Sequence, residues 1–109
     1  MLFLNTPNPP YYAVIFTSQR TEKDSKSYNL TANRMIELAS KQNGFLGVES
    51  VREQNGLGIT VSYWDSLESI KQWKAHMSHQ NAQEKGKKDW YSAYSTRICK
   101  VEREYSFIE

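Results

Sequence analysis

Asn55-Gly56 divides an apolar stretch into two short runs of β-strand composition, and Trp64-Asp65-Ser66 then leads directly into a helical pattern. Asn-Gly reaches positive φ at little cost, which a two-residue type I′ hairpin turn requires. A loop of those two residues predicts a pairing with Arg52 opposite Ile59, Ser50 opposite Val61, Val48 opposite Tyr63 and Gly47 opposite Trp64. Side chains alternate along a strand, so this register also predicts two faces. Leu46, Val48, Leu57, Ile59, Val61 and Tyr63 form a core face. Phe45, Gly47, Glu49, Val51, Thr60, Ser62 and Trp64 form a mixed face, suited to a cavity wall or a subunit contact.

Around this hairpin the chain reads as one domain. Residues 1–10 end in Pro9-Pro10 and read as an extended arm, and residues 11–109 have a length that a single core serves. Tyr11 to Gln19 is rich in aromatic and β-branched residues and predicts a strand, with Tyr12, Val14, Phe16 and Ser18 on one side and Ala13, Ile15 and Thr17 on the other. Tyr28, Ala32, Met35, Ile36 and Ala39 recur at helical spacing, and Asn43-Gly44 ends that helix. Asp65-x-x-Glu68 resembles a capping box that opens a second helix bearing Leu67, Ile70, Trp73 and Met77. A further helical stretch is expected at about 79–89, where Ala82 and Gly86 would allow close approach to a sheet. Trp90 to Phe107 predicts a strand long enough for part of it to pair with another subunit.

The order strand, helix, strand, strand, helical segment, strand is the ferredoxin-like βαββαβ pattern, an α+β fold with an antiparallel sheet covered by helices on one face. The uncovered face, expected to expose Phe45, Val51 and Trp64, is more apolar than monomers usually tolerate, so face-to-face dimerisation is expected.

Composition removes several classes of function. A net charge of +2 is too small for the clustered basic face that nucleic-acid binding requires, and the run Lys85, Lys87, Lys88 reads as a solvated surface. Cys99 is the one cysteine, so no internal disulfide can form, and a reducing, cytoplasmic setting is expected. Met1-Leu2-Phe3-Leu4 is too short and lacks the basic flank for a signal peptide or a membrane span. No Gly-rich phosphate loop, CxxC, HExxH or GxSxG occurs, which argues against nucleotide, zinc-peptidase and serine-hydrolase chemistry.

Four segments together resemble the antibiotic biosynthesis monooxygenase (ABM) family of dimeric α+β barrels: Tyr12-Ala13-Val14-Ile15-Phe16; Gly44-Phe45-Leu46-Gly47; Ile59-Thr60-Val61-Ser62-Tyr63-Trp64 with Asp65-Ser66 and Trp73; and His79-x-x-Ala82-Gln83-x-x-Gly86 leading to Trp90-Tyr91. The resemblance spans about residues 11–107. It implies a homodimer whose two sheets form a barrel, with a pocket in each subunit between sheet and helices. Cofactor-free relatives bind electron-rich phenols or anthrones there, remove a proton and pass electrons directly to dioxygen. That chemistry needs an apolar cavity with donors that stabilise an enolate or phenolate.

The resemblance implies Tyr63, Trp64, Trp73 and Phe16 as walls for a small aromatic or quinol-like molecule, with His76, His79 and Arg97 as catalytic candidates and no bound metal or flavin. A ligand-binding or stress-related protein without turnover would use the same pocket. Haem binding is a further alternative: Trp73 matches the Trp of the haem-degrading branch, but the iron-ligand position falls on Gln83 and the first-strand Asn position near Thr17. His76 and His79 would have to bind iron from a different turn. The two are three residues apart, and a metal site would need a third ligand that the local sequence does not offer. Imidazole exchanges protons near neutrality, which suits a base acting on a phenol. Arg97 pointing inward would hold an oxyanion and pointing outward would be an interface charge. Glu49 is open to two readings, a buried acid or a member of a dimer salt bridge.

Overall fold

The computed structural model describes residues 6–79 and 89–109, with the backbone alone at positions 78 and 79. The elements run β1 (Tyr11–Arg20), α1 (Ser25–Ser40), β2 (Phe45–Arg52), β3 (Leu57–Trp64), α2 (Leu67–His79) and β4 (Tyr91–Val101). The strands form one antiparallel sheet in the order β2-β3-β1-β4, which is the expected ferredoxin-like arrangement. The second helical stretch expected at 79–89 falls almost wholly outside the described residues. No helix among the described residues is long and apolar enough to cross a membrane.

The hairpin corrects the expected register. Glu53 N–H donates to Leu57 O at 2.8 Å and Gly56 N–H to Glu53 O at 3.0 Å, so the loop holds Gln54, Asn55 and Gly56 rather than two residues. Gly56 sits at φ +94°, the left-handed residue that completes a three-residue loop with a bulge. Arg52 therefore pairs with Gly58, Ser50 with Thr60 and Val48 with Ser62. A slip of one residue moves every side chain to the other face. Trp64, Ser62 and Thr60 point toward the helices, whereas Tyr63, Val61, Ile59 and Leu57, expected in the core, point away from them. A further irregularity between Phe45 and Gly47 restores Phe45 to the side of its partner Trp64.

The core confirms this inversion. Trp64 has 0% exposure and is closed in by Ala39 of α1 and Ile70 of α2, with Tyr12, Val14, Phe45 and Trp73 packed around it. Trp64 is thus not one of the exposed residues of the open face. That face does expose Val51 at 75%, Ile59 at 45% and Leu57 at 44%.

Two chain ends are set by local chemistry. Gly44 follows α1 at φ +86°, where a Cβ would overlap Ser69 and Asp65, so glycine is required on both counts. The start of α2 is capped one residue later than Asp65-x-x-Glu68 suggests: Ser69 N–H donates to Ser66 Oγ at 3.1 Å, and Ser69 Oγ donates to Asp65 Oδ1 at 2.9 Å. Asp65 N–H donates to Gly44 O at 2.8 Å, which ties this corner to the end of α1.

β4 ends at Val101, short of the expected Phe107, and pairs along its length with β1 from Tyr11↔Val101 to Arg20↔Tyr91. The long β1 accounts for the long β4 without recourse to another subunit. Residues 102–109 leave the sheet, with Tyr105, Phe107 and Ile108 exposed.

The turn gives a direct test. A Cβ at Gly56 would lie 2.7 Å from Arg20 O on a backbone with positive φ. Gly56→Ala is expected to lower unfolding free energy by roughly 1–3 kcal/mol, measured by denaturant titration.

Candidate functional site

Three aromatic rings stack on the helix side of the sheet. Trp64 ends β3, and Trp73 and His76 lie three residues apart on α2, a spacing that places both on one side of a helix. Trp64 and Trp73 have ring centroids 6.1 Å apart at 27°, and Trp73 and His76 5.6 Å apart at 22°. The inner end is fixed: Trp64 Nε1 donates to Ser62 Oγ at 2.9 Å, and Phe45 meets Trp64 edge-on at 5.4 Å. The outer end carries an unsatisfied polar atom. His76 Nε2 is buried and has no hydrogen-bond partner among the described residues. Leaving a buried polar atom unpaired costs on the order of 1–3 kcal/mol, so a hydroxyl brought to that nitrogen would be favoured.

Phe16 lies on the same sheet face in a separate aromatic group. It meets Tyr91 at 5.5 Å and Tyr94 at 5.4 Å, and Tyr28 meets Trp90 at 5.7 Å and Tyr91 at 5.9 Å. Two guanidiniums flank this group, Arg20 at 3.8 Å and Arg52 at 5.8 Å from the Tyr28 centroid. Arg52 is committed to the fold, donating to Gly56 O at 2.6 Å, Ser18 Oγ at 2.9 Å and Tyr28 Oη at 3.3 Å. Burial, followed by the Tyr28 hydroxyl, pushes the Tyr91 phenol up, with Arg52 and Arg20 pulling against that shift. Tyr91 is accordingly a neutral donor rather than a phenolate.

Tyr63 lies on the opposite face. Its hydroxyl donates to Glu49 Oε1 at 2.7 Å, and its ring meets Tyr11 edge-on at 5.8 Å. With Thr6, Glu104, Tyr105, Ser106 and Phe107 these residues line a cavity of about 250 Å³. The pocket expected between sheet and helices is filled at Trp64, and this cavity lies on the other side of the sheet. Burial first, then the bond to Glu49 and the negative charge of Glu49 and Glu104, push the Tyr63 phenol from 10.0 up to about 12.

The seven residues singled out in the sequence are therefore divided. Trp64, Trp73 and His76 come together. Phe16 joins the tyrosine group, and Tyr63 faces the cavity on the open side. Arg97 is exposed on that open face, donating to Ser95 Oγ at 3.1 Å, so it does not reach His76. The His79 side chain lies outside the described residues. The cavity residues Thr6, Tyr11 and Glu104 escaped sequence reasoning because they come from two chain ends. Arg20, Arg52 and Tyr28 escaped it because they come from β1, β2 and α1, far apart in the chain. Among the described residues, no group of three or more His, Cys, Asp or Glu could hold a metal ion.

The fold coincides with what comparison finds. The model of the family described as "Antibiotic biosynthesis monooxygenase" matches residues 10–85, and the chain belongs to that family. A protein of Bacillus subtilis (strain 168), YqjZ, itself described as uncharacterised, is 57% identical over 104 residues, covering 95% of this chain and 90% of its own. Among solved structures, PA3566 from Pseudomonas aeruginosa aligns at a TM-score of 0.66 and 9% identity, covering 91% of this chain and 99% of that one. SnoaB from Streptomyces nogalater, a cofactor-independent oxygenase, aligns at 0.59 and 11% identity, covering 94% and 100%. At these identities the likeness to solved structures is one of fold.

The Tyr63–Glu49 bond is testable by titration. A phenol whose pKa is raised on folding holds its proton more tightly in the folded state. The stability it lends is complete below pH 10 and is lost as pH rises through about 12. Ultraviolet titration of Glu49→Gln, set against the parent chain, is expected to show one phenol moving down from about 12 toward 10.0.

Proposed function

We propose that this chain is an ABM-type monooxygenase that oxidises a small aromatic or quinol-like molecule without a bound metal or flavin. One observation carries the reading: the unpaired His76 Nε2 at the outer end of the Trp64–Trp73–His76 stack. Family membership and the fold shared with a cofactor-independent oxygenase support it. A flat substrate ring extends the stack, and its phenolic or benzylic proton passes to His76 Nε2. The resulting anion is electron-rich enough to give an electron to dioxygen. Recombination places oxygen on the ring carbon, and loss of water leaves the quinone, so one dioxygen supplies the new carbonyl oxygen and the oxygen of the water. Apolar ring walls favour this route because they concentrate the reductant and keep competing protons away from the anion.

Within this proposal His76 is the base, and Trp73 and Trp64 position the ring. His79 is a second candidate base from the same helix end, and Phe16 a wall contributed by the neighbouring tyrosine group. The assembly is a homodimer, for the open face exposes Val51, Ile59 and Leu57 beside half-buried Val61 and Ile15. A chain of residues 11–109 forming one domain behind a short arm accords with this assembly.

Oxygen uptake with a panel of anthrones and quinols tests the reading. Turnover is expected, with His76→Ala lowering kcat about 10²–10⁴-fold and Trp73→Ala acting chiefly on KM. Saturable binding of the same compounds without oxygen uptake would identify a ligand-holding protein instead.

A further inference from the structure

The cavity on the open side of the sheet takes no part in the chemistry proposed at His76. It lies at the Tyr63 end of that face, away from Val51, Leu57 and Ile59 at the hairpin end. Four of its walls are aromatic: Tyr11 and Tyr63 belong to the sheet, Tyr105 and Phe107 to the tail that follows β4. Two more are acids, Glu49 from β2 and Glu104 from the tail. One copy of the chain supplies them all.

Both acids already hold a hydroxyl donor. Glu49 accepts the Tyr63 hydroxyl at 2.7 Å, and Glu104 accepts the Thr6 hydroxyl at 3.1 Å. Neither contact balances a charge. Among the described residues the ion pair is Lys41–Glu37, so no lysine or arginine neutralises either cavity acid. Their negative charges converge on one point, for both act on the Tyr63 phenol. What the cavity lacks is positive charge rather than another hydrogen-bond donor.

We propose that this cavity binds a small quaternary ammonium ion, held by the carboxylates of Glu49 and Glu104 and the rings of Tyr11, Tyr63, Tyr105 and Phe107. A volume of about 250 Å³ falls below the roughly 300–1,000 Å³ of pockets that take drug-sized molecules, so the occupant is small. Aromatic walls attract a cation through the negative faces of their rings, and they favour one whose charge is clothed in methyl groups over one that holds its water tightly. A calcium ion would need about six to eight oxygen ligands, and the described residues contain no group of three or more His, Cys, Asp or Glu to supply them. Entry is open: Tyr105 and Phe107 are 87% and 81% exposed, so the tail covers the cavity loosely and gains contact when a ligand fills it.

Isothermal titration calorimetry of the full chain with choline tests the site. The comparison is the uncharged analogue in which carbon replaces the ammonium nitrogen. Saturable binding of one choline per chain is expected, roughly 10-fold tighter than the analogue. Glu49→Gln and Glu104→Gln keep an oxygen for the hydroxyl donors and remove the charge, and each is expected to weaken choline by about 10-fold or more. Glu68→Gln, exposed on α2, is expected to leave binding unchanged. Phe107→Ala alters an exposed tail position, so it keeps the folded circular-dichroism spectrum while weakening choline several-fold. Choline carries its charge throughout an alkaline titration, so saturating it is expected to move the Tyr63 phenol down from about 12, read by ultraviolet absorbance. Absence of saturable choline binding, equal affinity for the uncharged analogue, or glutamine variants that bind like the parent chain would each overturn the site. Calcium that displaces choline from the same two acids would overturn it too, by assigning them to an inorganic ion.

Discussion

The backbone hydrogen bonds at the tip of the β2–β3 hairpin decide which side of the sheet every residue of β2 and β3 occupies. Glu53 pairs with Leu57 around a loop whose last residue, Gly56, is left-handed, and from that point alternation does the rest. Trp64 goes under the helices because Leu57 and Gly58 start the strand on the phase they do. Once Trp64 is inside, Ala39 and Ile70 close over it, and Trp73, one helical turn beyond Ile70, lies against its ring. The core and the candidate site are consequences of the same register, and shifting it by one residue would exchange Trp64 for Tyr63.

That register divides the chemistry of the molecule between two environments. On the helix side, an imidazole nitrogen with no hydrogen-bond partner among the described residues ends a stack of indoles. On the open side, carboxylates and phenols bond to one another around a small cavity, and burial and negative charge hold the Tyr63 hydroxyl in its neutral form. The two sides share strands but no side chains. A residue's usefulness to either is therefore fixed by the parity of its position along the strand.

The ABM family frames these observations without dictating them, because a shared fold fixes where a pocket or an interface can be built and leaves the reacting groups to individual side chains. Here the side chains place a stack of two indoles and an imidazole on one face, and a small cavity lined by Tyr63, Tyr11, Glu49 and Glu104 on the other. Exposed Val51 and Ile59 explain why a sheet of this kind would be covered.

Local chemistry made much of this legible in the amino-acid sequence: the element order, the turn at Asn55-Gly56, the left-handed exit at Gly44, the aromatic at the end of β3 and the helical spacing of Ile70, Trp73 and His76 are all written within a few neighbouring residues. The length of the hairpin loop was not, because Asn-Gly suits a two-residue loop and a three-residue loop equally well, and the choice between them inverted the faces of β3 while Val48 and Val51 of β2 kept theirs. Nor was the cavity built from Thr6, Tyr11 and Glu104, since it gathers residues from strands and termini far apart in the chain. Only packing decides such neighbours: a sheet in the order β2-β3-β1-β4 sets side by side what the sequence separates by tens of residues, and no local preference records that order.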